Sequence, residues 1–201
     1  MKYFISGIGT DIGKTVASAI LVQALKSDYW KPIQSGDLDN SDSYKVKELI
    51  SHSDCHFYKE TYRLNQPLSP HASAPLDGIE IELKKFELPN SQNLIIEGAG
   101  GLLVPLNQKD TILDLIIELG VEVIIISKHY LGSINHTLMT VDCLKNSNIP
   151  IKGIIFNGEE NKATESIILS KTKVPFLGRI EHIENLNKES IKKASLVFKD
   201  L

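Results

Sequence analysis

Between a short apolar run and a helical stripe the chain carries Gly7-Ile8-Gly9-Thr10-Asp11-Ile12-Gly13-Lys14-Thr15. The run before it, Lys2–Ser6, reads as a strand. The segment after it, Thr15–Lys26, puts Val16, Ile20, Leu21, Ala24 and Leu25 on one helix-period face. A glycine-rich passage from strand to helix aims the loop N–H groups and the helix N-terminus at a single point, which suits a phosphate. Lys14 adds a point charge for the terminal phosphates, and the Thr15 hydroxyl can ligate Mg²⁺. The spacing is unusual: five residues separate Gly7 from Gly13-Lys14, and the four-residue register would put Ile8 in the first glycine position.

The rest of the chain repeats the strand-then-helix pattern. Strands are expected at Tyr29–Ile33, Asn93–Glu97, Val121–Ser127, Lys152–Asn157 and Val174–Leu177. Helices are expected at Asp42–Ile50 after Asn40-Ser41, Thr111–Leu119 before Gly120, Ile134–Asn146, Ala163–Ser170 and Glu189–Phe198. Runs such as Val123-Ile124-Ile125-Ile126 lack period-two alternation, as strands covered on both faces do. The expected fold is therefore α/β: a single P-loop domain over residues 1–201, a doubly wound, mostly parallel sheet with helices on both faces. Only residues 54–90, rich in Pro, Ser and His, break the rhythm, and so long a loop in a compact domain is usually functional.

With 42% hydrophobic and 23% charged residues, 201 residues suffice for one soluble core. A net charge of −3 offers no general attraction to nucleic acid or to an anionic membrane. The stretch Ile112–Ile126 is too charged to span a bilayer, carrying Asp114, Glu118 and Glu122. Cys55 and Cys143 form no CxxC pair and read as free thiols. With no signal-peptide pattern at the N-terminus, a cytoplasmic location is expected.

Four polar residues stand at strand or helix ends where α/β sheets hold ligands. Lys31 follows Trp30 and reads equally as a solvated surface lysine. Ser35 reads also as a turn hydroxyl, and Asp42 as a carboxylate favoured by a helix dipole. Glu97 ends the apolar run Leu94-Ile95-Ile96 and precedes Gly98-Ala99-Gly100-Gly101. A carboxylate at a buried strand end needs a partner, and a nucleotide-bound metal is one. Later, Leu131-Gly132-Ser133-Ile134-Asn135-His136 opens a helix whose N-terminus could hold a carboxylate, or whose Ser133 and Asn135 could simply cap it.

Taken in order, Gly-x-Gly-Thr-Asp-x-Gly-Lys-Thr, Lys-Pro-x-x-Ser-Gly, Asn-Ser-Asp, Ser-Pro-His, Glu-Gly-Ala-Gly-Gly and Leu-Gly-x-Ile-Asn-His resemble the dethiobiotin synthetases, from residue 2 to about residue 180. The five-residue loop spacing is similar to that family's variant. The resemblance implies ATP held by Asp11, Ile12, Gly13, Lys14, Thr15 and Val16 and by Gly98-Ala99-Gly100, with Thr15, Asp42 and Glu97 around Mg²⁺. It makes Lys31, Lys14 and Thr10 the catalytic group, with Asp11 close to both ATP and substrate. Ser35, Pro70 and His71 would contact the substrate. Asn157 would read adenine, and Arg179, within Gly178-Arg179-Ile180, would line its pocket. It further implies a homodimer in which Gly132, Ser133 and Asn135 of the neighbouring chain hold the carboxylate of 7,8-diaminopelargonate, the diamine joined with CO₂ in an ATP-driven ring closure. Two features depart from the pattern: Ile8 where the family often has Thr, and a short Lys/Asn/Glu-rich tail after Arg179.

Three other classes fit less well. Partitioning-type switch ATPases usually carry a further lysine early in the loop, and Gly7-Ile8-Gly9 has none. GTPases need Asn-Lys-x-Asp, whereas Asn157 precedes Gly158-Glu159-Glu160. The amidating synthases of cobyrinic acids carry a glutaminase domain for which 201 residues leave no room.

Overall fold

The computed structural model describes residues 1–201. In chain order its elements are β1 (Lys2–Gly7), α1 (Lys14–Leu25), β2 (Asp28–Trp30), β3 (Ile33–Ser35), α2 (Asp42–Leu49), β4 (Phe57–Tyr58), β5 (Tyr62–Leu64), α3 (Pro70–Leu76), β6 (Leu94–Gly101), α4 (Ile112–Leu119), β7 (Glu122–Lys128), α5 (Ser133–Asn146), β8 (Ile151–Asn157), α6 (Lys162–Thr172), β9 (Phe176–Ile180) and α7 (Lys188–Ser195). Seven strands form one parallel sheet in the order β4-β2-β6-β1-β7-β8-β9. The expected α/β sheet is thus present, with its central strands fully buried, as at Phe4, Ile5, Ile95, Ile96, Val123 to Ile126 and Ile154 to Phe156. One cluster of 45 buried apolar residues holds the layers together.

All seven strands run the same way, so their carboxyl ends share one rim. β1 lies between β6 and β7, with the sheet's other strands laid out on both sides of it, which opens a crevice at its carboxyl end. The helix signals worked as physical caps. Ser41 Oγ accepts from the Tyr44 N–H at 3.3 Å to start α2, Thr111 and Asp114 form a capping box on α4, and Gly120 closes α4 at φ 62°.

The expected single strand Tyr29–Ile33 is instead two. Pro32 has no N–H for a ladder, and its carbonyl accepts from the Tyr62 N–H at 3.1 Å. The chain therefore leaves the main sheet after Trp30 and resumes as β3, which pairs with β5 in a separate two-stranded sheet. Lys31 sits at the break. The 54–90 segment is not a bare loop: it contains β4, β5, α3 and a 3₁₀ turn at Leu83–Lys85. Elsewhere the boundaries move by a few residues. β9 starts at Phe176 and not Val174, and the last helix passes into a 3₁₀ turn at Leu196–Phe198.

Candidate active site

After β1 the backbone turns twice into the left-handed region, at Asp11 (φ 55°) and Gly13 (φ 90°). A Cβ on Gly13 would lie 2.3 Å from Asn157 Nδ2. That amide donates to the Ile12 carbonyl at 2.7 Å and so ties the end of β8 to the loop. Ile12 is buried beneath the turn. α1 then starts with no side chain capping it, and its first-turn N–H groups are left for a ligand. Lys14 folds back over the loop, Nζ donating to the Gly9 carbonyl at 2.9 Å. Burial draws its ammonium down to about 8, against the opposing pull of Glu97.

Beside the loop, the end of β2, the start of α2 and the middle of β6 converge. Lys31 Nζ lies 2.6 Å from Asp42 Oδ2 and 3.1 Å from Glu97 Oε1. Thr15 Oγ1 donates to the same Glu97 oxygen at 2.9 Å. Burial works against the Lys31 charge, but Glu97 and Asp42 outweigh it and raise its pKa; the same contact holds Asp42 below the usual carboxylate range despite burial. These groups line a cavity of about 800 Å³ at the sheet rim. The cavity also takes in Thr10, Asp11, Gly13, Val16, Ser35, Gly98, Ala99 and Gly100. Ser35 Oγ is buried there with no partner within the chain, as a hydroxyl reserved for a ligand would be.

The remaining expected residues lie outside that cavity. Pro70 and His71 are not loop residues but the first turn of α3. His71 lines an adjoining cleft and its Nδ1 is 3.0 Å from Ser69 Oγ, which does face the main cavity. Asn157 lines a smaller pocket of about 170 Å³ with Lys128, Ile180 and Glu181, joined to the main one through Gly13 and Val16. Arg179 is turned away from this pocket, bound to Glu165 Oε2 and to the Gly158 carbonyl. Gly132, Ser133 and Asn135 begin α5 at a distance. There the cap is Gly132 (φ 106°), not the side chain of Ser133 or Asn135. Asn135 is exposed, with Nδ2 3.3 Å from Met139 Sδ.

Three further residues of the site were not among those expected from the sequence. Tyr29 donates from its phenol to Glu97 Oε2 at 2.9 Å. Gln34 Oε1 accepts from the Asp42 N–H at 3.2 Å while its Nε2 donates to the Gly36 carbonyl. Lys45, one helical turn beyond Asp42, pairs with Asp37 at 2.8 Å and lies 3.9 Å from Asp42 Oδ1. Only Lys45 was findable, from its i, i+3 spacing to Asp42.

The donor set around Thr15 is all hard oxygen, one hydroxyl and two carboxylates, which is what Mg²⁺ prefers when phosphates and waters complete its shell. The residues fit such an ion. No cluster of three His, Cys, Asp or Glu offers an alternative metal centre.

A family model described as an AAA domain matches residues 1–190. An ATP-dependent dethiobiotin synthetase from Christiangramia forsetii is 52% identical, over 98% of this chain and 96% of its own length. Its namesake from Cytophaga hutchinsonii is 49% identical over 94% and 93%. Among solved structures, a plasmid partition protein from Borrelia burgdorferi matches with TM-score 0.61 at 15% identity over 98% of this chain and 96% of that one. The MinC:MinD cell division complex of Aquifex aeolicus matches at 0.59 and 10%, over 96% and 86%. These two likenesses establish the fold alone. Near-full-length identity of about one half, on a chain whose phosphate loop, Lys31, Asp42 and Glu97 meet in one cavity, establishes the kinship: the chain belongs to the ATP-dependent dethiobiotin synthetase family.

Proposed function

We propose that this ligase joins 7,8-diaminopelargonate and CO₂ into the cyclic urea of dethiobiotin at the expense of ATP, with residues 1–201 acting as one domain. The observation that carries the reading is the meeting of Lys14, Lys31, Thr15, Asp42 and Glu97 in one rim cavity. One amine of the diamine takes up CO₂ and loses a proton, giving a carbamate. A carbamate oxygen attacks the γ-phosphorus and ADP leaves. The second amine then attacks the carbonyl of the resulting mixed anhydride, gives up a proton, and inorganic phosphate departs.

Each step needs positioning and charge more than a covalent nucleophile. The carbamate and the γ-phosphate are both anionic and must be brought together. Lys31 is the cation on the carbamate side and Lys14 the cation on the phosphate side, with Thr10 and Asp11 lining the same cavity. The cavity lining itself holds three lysines against four carboxylates, so a polyphosphate requires further positive charge. Thr15, Asp42 and Glu97 would hold Mg²⁺, whose charge would offset that of the phosphates. Asn157 and its small pocket would take the adenine.

A groove of about 410 Å³ leads from Thr10 past Leu102 and Val104 to His136 and Met139, an apolar path for the aliphatic tail. Leu103 and Met139 in its lining are exposed, as are Tyr130, whose hydroxyl lies 2.8 Å from His136 Nδ1, and Leu131 and Ile134 beside it in the chain. Apolar surface of this kind supports a homodimer whose second chain supplies Gly132, Ser133 and Asn135 to the tail carboxylate. No helix is long and apolar enough to cross a membrane, and a cytoplasmic site of action, without nucleic-acid or membrane partners, completes the proposal.

The test is a product assay. Protein, diaminopelargonate, bicarbonate, Mg²⁺ and ATP should yield dethiobiotin by mass, with ADP release strictly dependent on the diamine. ATP turnover that runs at full rate without diamine, or that DNA stimulates, would transfer the chain to the switch ATPases whose fold it shares.

A further inference from the structure

Glu97 divides its two oxygens between two jobs. Oε1 faces Thr15 Oγ1 and Lys31 Nζ at 2.9 and 3.1 Å. Oε2 is turned toward β2, where it accepts from Tyr29 OH at 2.9 Å. Tyr29 is wholly buried. It stands in register with Ile95, two residues before Glu97 on the neighbouring strand, and its ring packs on Phe57 with centroids 5.5 Å apart. Its hydroxyl makes one hydrogen bond, the one to Glu97.

A phenol in a parallel-sheet core has to find a polar partner, and an apolar ring would fill the same space without that demand. Here the partner is a carboxylate, and such charge-assisted bonds are strong and directional. Burial and the Glu97 charge push the Tyr29 ionisation well above its ordinary value, so the phenol stays a donor. A donor fixed to Oε2 stops the carboxylate from turning about its last torsion, which is otherwise broad and nearly two-fold.

We propose that Tyr29 is a positioning residue for the reaction: by holding Glu97 Oε2 it presents Oε1, in one orientation, to Thr15, Lys31 and the nucleotide-bound divalent ion. The proposal rests on Glu97 serving the metal side of the nucleotide. Groups that orient a metal's ligands from behind typically control affinity by roughly 10–100-fold.

Calorimetry without turnover tests it, with ADP as probe. Two quantities are read: the ADP dissociation constant without divalent ion, and the Mg²⁺ or Mn²⁺ concentration that half-maximally tightens ADP. Tyr29→Phe keeps the ring and removes only the hydroxyl. It should leave metal-free ADP binding unchanged and raise the metal requirement about tenfold. A tyrosine of merely structural value would lower the melting temperature and move neither quantity. Glu97→Gln is measured alongside. If it weakens the metal response while Tyr29→Phe matches the wild type, Tyr29 is a core residue only and the Glu97 reading stands. If Glu97→Gln itself matches the wild type, the Glu97 reading falls and the Tyr29 proposal with it. Should Tyr29→Phe not fold, a ring-fluorinated tyrosine at position 29 retains shape and hydroxyl and alters donor strength alone; a changed metal requirement then supports the proposal and an identical one overturns it.

Discussion

Helices α1 and α5 begin alike and are surrounded differently. Each follows a strand of the main sheet, and each starts behind a left-handed glycine, Gly13 at φ 90° and Gly132 at φ 106°, with no capping side chain. Free N–H groups and the positive end of the helix dipole suit both to an anion. Around α1 stand Lys14, Lys31 and the paired carboxylates, recessed within one chain. Around α5 stand Tyr130, Leu131, Ile134 and Met139, large apolar groups in solvent, with Leu131 wholly exposed. A polyphosphate is charged on every side and needs cations close by. A carboxylate at the end of an aliphatic chain needs an anion hole beside an apolar wall. The backbone device is shared, and under the proposed function the side chains around it divide a nucleotide site at α1 from a tail site at α5.

The largest effects should come from the α1 side. Lys31→Ala removes the cation proposed to meet the carbamate and should lower kcat by on the order of 10²–10³ while ATP binding, followed by calorimetry, persists. Lys14→Ala should instead weaken ATP binding itself. Near wild-type turnover in Lys31→Ala would reduce Lys31 to a partner of Asp42 and Glu97. Next in size is the oxygen cluster. Thr15→Val, Asp42→Asn and Glu97→Gln should each raise the Mg²⁺ requirement by roughly tenfold or more, and double variants should lose little beyond the worse single one. Additive losses that extra Mg²⁺ never relieves would separate the three residues into independent sites.

The sequence displayed this contrast unevenly. The phosphate loop and the central strands were legible because their signals are local: glycines before Gly13-Lys14-Thr15, and unbroken apolar runs where both faces are covered. β3, β4 and β5 were not, since two- and three-residue strands leave no period to read, and Pro32 diverts the chain for a tertiary reason, the pairing with Tyr62. Of the site, Lys31 and Asp42 stood at readable strand and helix ends, and Glu97 closed a readable apolar run, although β6 continues past it to Gly101. Tyr29 was invisible because its polar contact depends on β2 and β6 being brought together by the fold, and Gln34 because its bonds go to backbone groups of the turn that leads into α2. The positions expected for Asn135 and Arg179 illustrate the other limit. Motif order carried those expectations, and in a single chain neither side chain faces the main cavity.

The α5 side should respond through the diamine. Asn135→Ala should raise the diamine KM about tenfold, the size of one lost hydrogen bond to a charged group, without changing ATP binding. If the second chain supplies Asn135, mixing Asn135→Ala with Lys31→Ala protein lets a heterodimer form one site with both residues intact, and activity returns on mixing. If each chain serves its own site, every site carries a defect and the mixture stays as slow as its parts. A fully active monomer at assay concentration would likewise exclude sharing.

The smallest effect tests the contrast between the two helices most directly, because it touches the cap glycine alone. At Gly13 a methyl group would strike Asn157 Nδ2 at 2.3 Å, so substitution there disturbs the loop and the Asn157 pocket together. At Gly132 the nearest atom to an added Cβ is His136 Cε1, at 3.7 Å, an ordinary contact. Gly132→Ala therefore meets backbone strain and no clash, a cost of about 1–3 kcal/mol that the fold can absorb. The strain falls on the turn that aims the first N–H groups of α5. Weakening a helix-terminus contact of this kind corresponds to roughly a two- to fivefold change in affinity. Gly132→Ala should thus raise the diamine KM by that small factor while the ATP KM stays fixed. Equal movement of both constants would mean that the start of α5 shapes the nucleotide site as well, and the division between the two helices would no longer hold.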